Sequence, residues 1–398
     1  MECTTRISDD LLWVGGNDRR LHLFENAFPI PRGISYHSYL QLDEKTVLLD
    51  TVDHAVSDVF FENVEAGLGG RALDYVIVNH MEPDHCATLA QLCSKYPETT
   101  IVLSAKAAVM VEQFFTSELK ARFQIVKEGD TLQTGKHIYT FIMAPMVHWP
   151  EVMVTFDETT GTLFSADAFG SFGAMGGSLF ADELNFERDW LDDARRYYAN
   201  IVGKYGAPVQ TLLKKVAAKD IKMICPLHGP IWRENIAWYV DKYQRWSTYT
   251  PEEEGAVIAY ASIYGHTQNA AEIMARELYS AGMKNIVLHD VSVTHPSYIV
   301  SDAFRLSHMV LCAPTYNMGI FPAMETLLLD LKAHALQNRT VGIVENGSWA
   351  PAAGKLMREI VQGMKNMKMV EPMVSIRSAV KTEQVDQLRV LAQNIVNA

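Results

Sequence analysis

Residues 79–85 contain four side chains that can bind a metal ion within six consecutive positions. These side chains belong to His80, Glu82, Asp84 and His85. An apolar run at residues 75–78 precedes them and is typical of a buried parallel strand. Imidazole and carboxylate groups that gather where such a strand ends predict a transition-metal site.

Alternate side chains of an extended segment point the same way, so we expect His80, Glu82 and Asp84 to face one cavity. Pro83 stiffens the turn between them, and a helix is predicted at residues 87–96. The alternative interpretation is a capped loop with scattered polar residues and no metal. Cys86 is open to two interpretations as well, a ligand or a small buried residue.

The same order, a predicted strand followed by a ligand-type residue, recurs three times farther along the chain. His148 follows a predicted strand that begins at residue 137, Asp167 ends one at residues 161–166, and His228 lies in the loop after an apolar run that begins at residue 221. Each of these residues alone is weak evidence. With the run at residues 80–85, the pattern occurs four times in the chain.

The run at residues 80–85 resembles the H-x-[EH]-x-D-H motif of the metallo-β-lactamase fold. The glutamate at the second position of this motif, Glu82, resembles the flavodiiron branch of that superfamily. The zinc hydrolases of the fold usually carry histidine at that position. A carboxylate in place of an imidazole moves the preference from zinc toward iron or manganese.

The resemblance implies a pair of non-haem irons. One iron would be held by His80, Glu82 and His148, and the other by Asp84, His85 and His228, with Asp167 as the bridge. In some members of the family water replaces the histidine that matches His85, and the sequence leaves both arrangements open.

Other polar residues are candidates for supporting this site. Asp50 and Asp53 either orient ligand histidines or are plain turn residues. His22 is a candidate proton donor, and Tyr197 or Tyr198 is a candidate for reaching the pocket from a helix predicted at residues 190–201.

A second candidate site begins after a predicted strand at residues 256–261. Ser262 and Thr267 offer hydroxyl groups, Gly265 lets the backbone approach a ligand closely, and a predicted helix at residues 268–281 offers amide groups to a phosphate. The loop contains no lysine, which favours FMN over a nucleoside triphosphate. The alternative for the loop alone is a tight strand-to-helix turn.

The loop resembles the S/T-x-x-G-N-T pattern of flavodoxins, with His266 where asparagine is common. Two further loops, after predicted strands at residues 307–313 and 341–344, are similar to the second and third flavin loops. Tyr316 and Trp349 would flank the isoalloxazine ring, and Asn317 would hydrogen-bond the cofactor. The FMN-binding residues that the resemblance implies are Ser262, Ile263, Tyr264, Gly265, His266, Thr267, Pro314, Thr315, Tyr316, Asn317, Gly319, Asn346, Gly347, Ser348 and Trp349.

Composition restricts the class of protein. The chain has 398 residues, 48% of them hydrophobic and 21% charged, which is typical of a soluble globular protein with two domains. The net charge of -12 argues against nucleic acid as a partner, and neither a leader sequence nor a membrane helix is expected. The five cysteines include no Cys-x-x-Cys pair, which predicts reduced thiols, a cytoplasmic location and no rubredoxin-like iron site.

We therefore predict an α/β protein with two domains. Residues 1–250 would form an αββα metallo-β-lactamase-like sandwich that holds the diiron site. Residues 251–398 would form a doubly wound parallel-sheet flavodoxin-like domain that holds FMN. The acidic segment at residues 247–255 is predicted to be a solvated linker.

The expected activity is that of a flavodiiron oxidoreductase, which reduces dioxygen to water or nitric oxide to nitrous oxide with electrons supplied through FMN. An external donor such as a rubredoxin or a flavin reductase is expected, and the resemblance implies a head-to-tail homodimer or a dimer of dimers. Two alternatives remain open: a hydrolase with two zinc ions, and a flavodoxin-type electron carrier with a structural metal domain.

Overall fold

The computed structural model describes residues 3–115 and 117–398. Met1 and Glu2, which begin the segment where we expect no leader sequence, lie outside the described residues. The chain divides into two compact units, Met1–Tyr198 with Ala207–Gln244 and Ala199–Gly206 with Arg245–Ala398. Every helix of the described residues is too short or too polar to span a lipid bilayer.

Short strands dominate the first unit. They are β1 Thr5–Arg6, β2 Leu11–Trp13, β3 Gly16–Asp18, β4 Leu23–Phe24, β5 Phe28–Pro29, β6 Ile34–Tyr36, β7 Tyr39–Leu42, β8 Thr46–Leu49, β9 Tyr75–Val78, β10 Thr100–Ser104, β11 Phe123–Val126, β12 Thr131–Gln133, β13 Ile138–Met143, β14 Met153–Asp157, β15 Thr162–Phe164 and β16 Met223–Cys225.

These strands form two main sheets. The first has the order β1-β2-β7-β8-β9-β10-β11, and its strands from β8 to β11 run parallel. The second has the order β12-β13-β14-β15-β16, antiparallel except for the last pair. Every residue of β8, β14 and β15 is buried, so both faces of these strands are covered. The β-branched and aromatic side chains of these strands suit such a doubly covered sheet.

Helices connect the strands of this part of the chain. They are α1 Ser57–Leu68, α2 Pro83–Cys86, α3 Leu89–Lys95, α4 Ala105–Phe114, α5 Phe186–Asp189, α6 Leu191–Tyr197, α7 Gly206–Val216 and α8 Ile236–Ser247. Short 3-10 segments lie at His54–Val56, Ser117–Arg122, Ala181–Glu183 and Gly203–Tyr205, and a π-helical turn lies at Tyr198–Val202.

The metal-binding motif departs from the extended segment that we predicted. Its extended part ends at Glu82, and α2 begins at Pro83, a residue whose fixed φ angle suits the first helical position. Asp84 therefore lies in a helical turn, one residue before His85, and does not alternate with His80 and Glu82. The helix predicted at residues 87–96 is shorter and begins at Leu89, as α3.

The second unit contains five main strands and five helices among its described residues. The strands are β17 Glu253–Tyr260, β18 Asn285–Asp290, β19 Leu306–Tyr316, β20 Gly319–Ile320, β21 Thr340–Asn346, β22 Lys368–Met369 and β23 Val374–Ile376, of which β20 and β22 have only two residues. The helices are α9 His266–Ser280, α10 Pro296–Arg305, α11 Pro322–Ala333, α12 Ala353–Gln362 and α13 Thr382–Val396.

The sheet of the second unit has the order β18-β17-β19-β21-β22, with β23 also paired to β21, and these pairs are all parallel. If the parallel strands are numbered in chain order, β17 is the first and β18 the second. The sheet then has the 2-1-3-4-5 order of a doubly wound flavodoxin-like fold. A hydrophobic core that includes Ile258, Met274, Val310 and Leu391 lies between the sheet and its helices. The predicted α/β class is confirmed.

The predicted linker at residues 247–255 is wrong in its second half. Strand β17 begins at Glu253, and Glu253 pairs with Leu306 of β19. The backbone pairing with β19 orders the acidic residues at the start of the strand, while Glu253 and Glu254 stay exposed. Charge alone therefore did not distinguish a solvated strand end from a linker.

Candidate metal centre and flavin crevice

One cluster of ligand-type atoms lies at the ends of β9, β13 and β15. The Nε2 atoms of His80 and His148 lie 3.2 and 3.0 Å from Oε2 of Glu82. The same two nitrogens lie 3.3 and 3.1 Å from Oδ2 of Asp167. All four residues are buried, and one atom from each can reach a common cation.

A second cluster consists of Asp84, His85 and His228, which are also buried. The Nε2 atoms of the two histidines are 3.1 Å apart, and Oδ2 of Asp84 lies 3.3 Å from that of His85 and 3.2 Å from that of His228. His85 thus points into the cluster, the orientation that the sequence had left open. Phe24 and Tyr197 pack against the His228 ring, with centroids 5.5 and 5.6 Å away.

Asp167 joins the two clusters. Its Oδ2 atom faces His80 and His148, whereas its Oδ1 atom lies 3.1 Å from Nε2 of His85 and 3.7 Å from that of His228. The structure therefore brings together all seven residues predicted as metal ligands. One carboxylate faces both groups, as a bridging ligand would.

The buried carboxylates of the site favour the binding of positive charge. Burial alone would lower the pKa of His80 and His148, yet Asp167 raises the pKa of His80 well above its ordinary value, and hydrogen bonds to Asp167 and Glu82 raise the pKa of His148 to about 9. Burial opposes ionisation of Asp167, but His85 and His80 hold its pKa well below the usual range. Three buried carboxylates require positive charge, which protons or metal ions can supply.

The ligand set fits a pair of transition-metal ions. Both oxygens of Asp84 and Oδ1 of Asp167 are buried and accept no hydrogen bond among the described residues, although histidine Nε2 atoms lie 3.1 to 3.3 Å from Oδ2 of Asp84 and Oδ1 of Asp167. Two imidazole nitrogens 3.1 Å apart, as in His85 and His228, also need a proton or a cation between them. Each group contains two imidazoles and one carboxylate in addition to Asp167, a mixture that suits non-haem iron.

A layer of hydrogen bonds fixes the ligands. The Nδ1 atom of His80 lies 2.7 Å from Oε1 of Glu151, and that of His228 lies 2.7 Å from the carbonyl oxygen of Ser35. Asp50 accepts hydrogen bonds from the backbone N–H groups of Asn79 and His80, at 2.7 and 3.2 Å. Asp50 therefore holds the backbone at the start of the motif and not an imidazole ring.

Other candidates play different parts. Asp53 caps the turn at His54–Val56 by accepting from the N–H of Ala55, so the turn-residue alternative describes it. His22 is exposed, in the segment before the β4–β5 hairpin, and is not part of either cluster. The buried Cys86 thiol donates to the carbonyl of Met81 at 3.2 Å, which agrees with a small buried residue.

Sequence reasoning missed two acidic residues near the metal clusters. Glu151 lies three positions after His148, and a carboxylate so close to a ligand histidine was an available signal. Glu25 lies in the turn after Phe24, where desolvation and the carboxylate of Glu82 raise the pKa of its side chain to about 8. In the sequence around Glu25 only His22 had been a candidate, and Glu25 itself gave no signal, because the β4–β5 hairpin reaches the site only through folding.

The second predicted site is a crevice at the carboxyl ends of β17, β19 and β21, with a volume of about 790 Å³. Its lining includes thirteen of the fifteen residues predicted to bind FMN, namely Ser262, Ile263, Tyr264, His266, Thr267, Pro314, Thr315, Tyr316, Asn317, Asn346, Gly347, Ser348 and Trp349. Gly265 and Gly319 are not part of the lining. Met318, Ala350 and Ser378 complete it and had not been predicted.

The crevice fits a phosphorylated flavin. Helix α9 begins after Gly265, whose φ of +88° favours glycine, and no side chain caps this amino end. Its first amide groups are therefore available to a phosphate. At the other end of the crevice Tyr316 and Trp349 are 44% and 84% exposed, which leaves their rings available to stack on a ligand.

Family models match both parts of the chain. The ODP family beta lactamase model matches residues 34–229, and the flavodoxin model matches residues 258–389. The anaerobic nitric oxide reductase flavorubredoxin of Aliivibrio fischeri is 31% identical over 352 residues, which are 87% of this chain and 70% of that protein. The chain belongs to the flavodiiron protein family.

Two further relatives span nearly the whole chain. The nitric oxide reductase of Moorella thermoacetica is 29% identical over 98% of this chain and 97% of its own. The solved structure of rubredoxin oxygen:oxidoreductase from Desulfovibrio gigas superposes with a TM-score of 0.93, at 28% identity, over 99% of this chain and 98% of that one. This chain thus has the predicted lactamase-like part followed by the flavodoxin-like part. It is an oxidoreductase that uses FMN and a diiron site.

Proposed function

We propose that this flavodiiron protein reduces dioxygen to water or nitric oxide to nitrous oxide at two irons that receive electrons through FMN. The observation that carries the proposal is the position of Asp167 between two histidine clusters. When bound, the irons supply open coordination positions for a gas, and the flavin accepts an electron pair and releases it one electron at a time.

The proposed ligands are those of the two clusters. His80, Glu82 and His148 would hold one iron, Asp84, His85 and His228 the other, and Asp167 would bridge them. In the flavodoxin-like part, the residues predicted to bind FMN would hold the phosphate at the start of α9 and the ring between Tyr316 and Trp349. The proposed domains keep their predicted bounds, residues 1–250 and 251–398.

Protein groups around the metals would prepare the pocket for a small uncharged gas. Phe24 and Tyr197 pack against His228, and Trp149 packs edge-on against His80 with a centroid distance of 5.4 Å. These rings would shield the ligands from bulk water. The buried Tyr197 hydroxyl, which has no hydrogen-bond partner among the described residues, is a candidate donor to a bound gas.

The partners of the enzyme are part of this proposal. A rubredoxin or a flavin reductase in the cytoplasm would reduce the FMN, and the name of the Desulfovibrio gigas relative, rubredoxin oxygen:oxidoreductase, supports a rubredoxin as donor. We also propose a head-to-tail homodimer or a dimer of dimers, in which the FMN of one subunit serves the irons of another. A fully active monomer at every dilution would contradict this arrangement.

The two alternatives predict different behaviour. A two-zinc hydrolase would release product from an ester or lactam without a reductant. A simple electron carrier would be reoxidised only slowly by a gas. The family match favours neither of them.

The decisive experiment reduces the iron-loaded protein without oxygen and then mixes it, separately, with dioxygen and with nitric oxide. We expect rapid reoxidation of the flavin by at least one gas, with water or nitrous oxide as product. The ratio of the two rates gives the preferred gas. Slow reoxidation by both gases would contradict the proposed activity.

A further inference from the structure

The outer nitrogens of the two clusters have different partners. In the first cluster, Nδ1 of His80 lies 2.7 Å from the carboxylate of Glu151. In the second cluster, Nδ1 of His228 donates to the neutral carbonyl of Ser35 at 2.7 Å, and Nδ1 of His85 is buried without a hydrogen-bond partner in the described part of the chain. Among the described residues, Glu151 is the one carboxylate hydrogen-bonded to the outer nitrogen of a ligand imidazole, although Asp50 interacts electrostatically with His85.

Glu151 is held firmly in this position. Its side chain is fully buried. Its Oε1 atom also accepts the N–H of Met81 at 2.9 Å, and its carbonyl oxygen accepts the hydroxyl of Ser104 at 2.9 Å. The segment before β14 and the end of β10 thus fix the carboxylate against His80, which makes its orientation a property of the fold.

A carboxylate that is hydrogen-bonded to a ligand histidine changes the affinity and the electronic properties of the bound metal. It fixes the ring and its tautomer, and it makes the imidazole a stronger donor. Each cluster has one carboxylate of its own, Glu82 or Asp84, and both share Asp167. Glu151 therefore places a hydrogen-bonded negative charge behind the first metal position, whereas the outer nitrogens of His228 and His85 in the second cluster have no carboxylate partner among the described residues.

We propose that Glu151 is a positioning residue that makes the two metal positions unequal. An iron held by His80 would be retained more tightly and would lose an electron first, because the charge of Glu151 would stabilise the ferric ion. In that step one electron passes from the ferrous ion to an added oxidant, and no bond is formed or broken. The inference rests on the ligands assigned under the proposed function.

The test compares Glu151→Gln with the wild-type enzyme in an anaerobic redox titration followed by electron paramagnetic resonance. Glutamine keeps the size and an acceptor oxygen for His80 but removes the charge. We expect the first oxidation of the diiron site to move to a more positive potential and the half-oxidised form to reach a smaller maximum. The iron held by His80 is the one that we expect the wild-type enzyme to release more slowly. In Glu151→Gln a ferrous chelator should remove this iron about 10- to 100-fold faster, the range expected when a residue that hydrogen-bonds a metal ligand is lost.

Asp157→Asn is the matched control. The Oδ2 atom of Asp157 lies 2.8 Å from Nδ1 of His137, so the pair has the same chemistry as Glu151 and His80 but belongs to neither metal cluster. This variant should keep the wild-type potentials and rates of iron release. Equal potentials and equal release rates in wild type and Glu151→Gln would overturn the inference.

A second measurement covers the case in which Glu151→Gln does not fold. Iron release from the wild-type enzyme should have a slow and a fast phase, and Asp84→Asn should accelerate only the fast phase. Acceleration of the slow phase would overturn the inference. An enzyme that turns over a gas with two equal metal positions would refute this inference alone, whereas unequal positions without gas reduction would refute the proposed activity alone.

Discussion

Oδ1 of Asp167 lies 3.1 Å from Nε2 of His85, while the other oxygen of Asp167 faces the first histidine cluster. One carboxylate thus lies between two groups of ligands that come from distant parts of the sequence. Because the two oxygens point to different clusters, loss of the negative charge of Asp167 should affect both metal positions at once.

Asp167→Asn should therefore reduce the iron content from about two ions per chain to one or fewer and lower gas reduction by about 100-fold or more. FMN content should not change, since Asp167 is remote in sequence from the flavin loops. Metal analysis and flavin absorbance measure both quantities.

Asp182→Asn is a suitable comparison, because Asp182 pairs with Arg233 at 2.9 Å outside both clusters. It should leave the iron content unchanged. Full iron occupancy in Asp167→Asn would contradict the bridging role.

Gly265→Ala tests the phosphate end of the flavin crevice. The φ of +88° is strained for alanine by roughly 1–2 kcal/mol, although a Cβ would meet nothing within 4 Å. A backbone shift that relieves this strain would move the first amides of α9, so we expect FMN to dissociate about 10-fold more readily. Fluorescence titration of the apoprotein with FMN measures the change.

Gly70→Ala provides the comparison at a nearly identical backbone angle. Gly70 has φ of +87° and equally open surroundings, but it lies in the first unit. The variant should lose a similar amount of stability and bind FMN like the wild type. If both variants bound FMN equally well, the loop at Gly265 would not be the phosphate site.

Tyr197→Phe tests the hydroxyl beside the second cluster. The tyrosine ring is buried, and its oxygen has no hydrogen-bond partner among the described residues, so removal of that oxygen should cost little free energy of unfolding. If the hydroxyl donates to a bound gas, turnover should fall about 10- to 100-fold with iron and FMN content unchanged.

Tyr198→Phe distinguishes this role from simple packing. Tyr198 is also buried, but its ring packs edge-on against Tyr243, with centroids 5.0 Å apart. Its variant should turn over at the wild-type rate. Similar losses in both variants would point to packing of the helix and not to a donor at Tyr197.

The buried pair of His137 and Asp157 should make stability depend on pH. Burial alone would lower the pKa of His137, but hydrogen bonds to Asp157 and Asp10 raise it above 6.5, so its stabilising contribution is full below that pH and is lost as the pH rises through the folded value. Burial alone would raise the pKa of Asp157, but the hydrogen bond to His137 lowers it below 3.8, so its contribution is lost only in strong acid.

Asp157→Asn should therefore reduce the free energy of unfolding most between about pH 4 and pH 6.5, by roughly 1.5–3 kcal/mol, and less at pH 8.5. Denaturant unfolding at pH 5.5 and pH 8.5 measures the difference. Asp220→Asn, which changes a carboxylate that is 88% exposed, should have no such effect. A loss that was equal at both pH values would contradict the ion pair.

The sequence alone determined the chemical types of the site and the order of its elements. His80, Glu82, Asp84 and His85 follow an apolar run directly, and the loop at residues 262–267 follows another, so local spacing was sufficient to propose a metal site and a phosphate-binding loop. The resemblance of these motifs to two known families implied the α/β class. These features are local, and each depends on a few consecutive residues.

Only the tertiary structure decided which atoms meet. The start of α2 at Pro83 separates Asp84 from His80 and Glu82. Sheet pairing brings Asp167 and His228 into one site, where Oδ1 of Asp167 faces Nε2 of His85 and Nε2 of His228 faces Oδ2 of Asp84. Glu25 reaches the ligands only through folding of the β4–β5 hairpin, and Glu151, although it lies three positions after His148, meets His80 only in the folded structure. Contacts between residues far apart in the chain depend on strand register and packing, which no short stretch of sequence specifies.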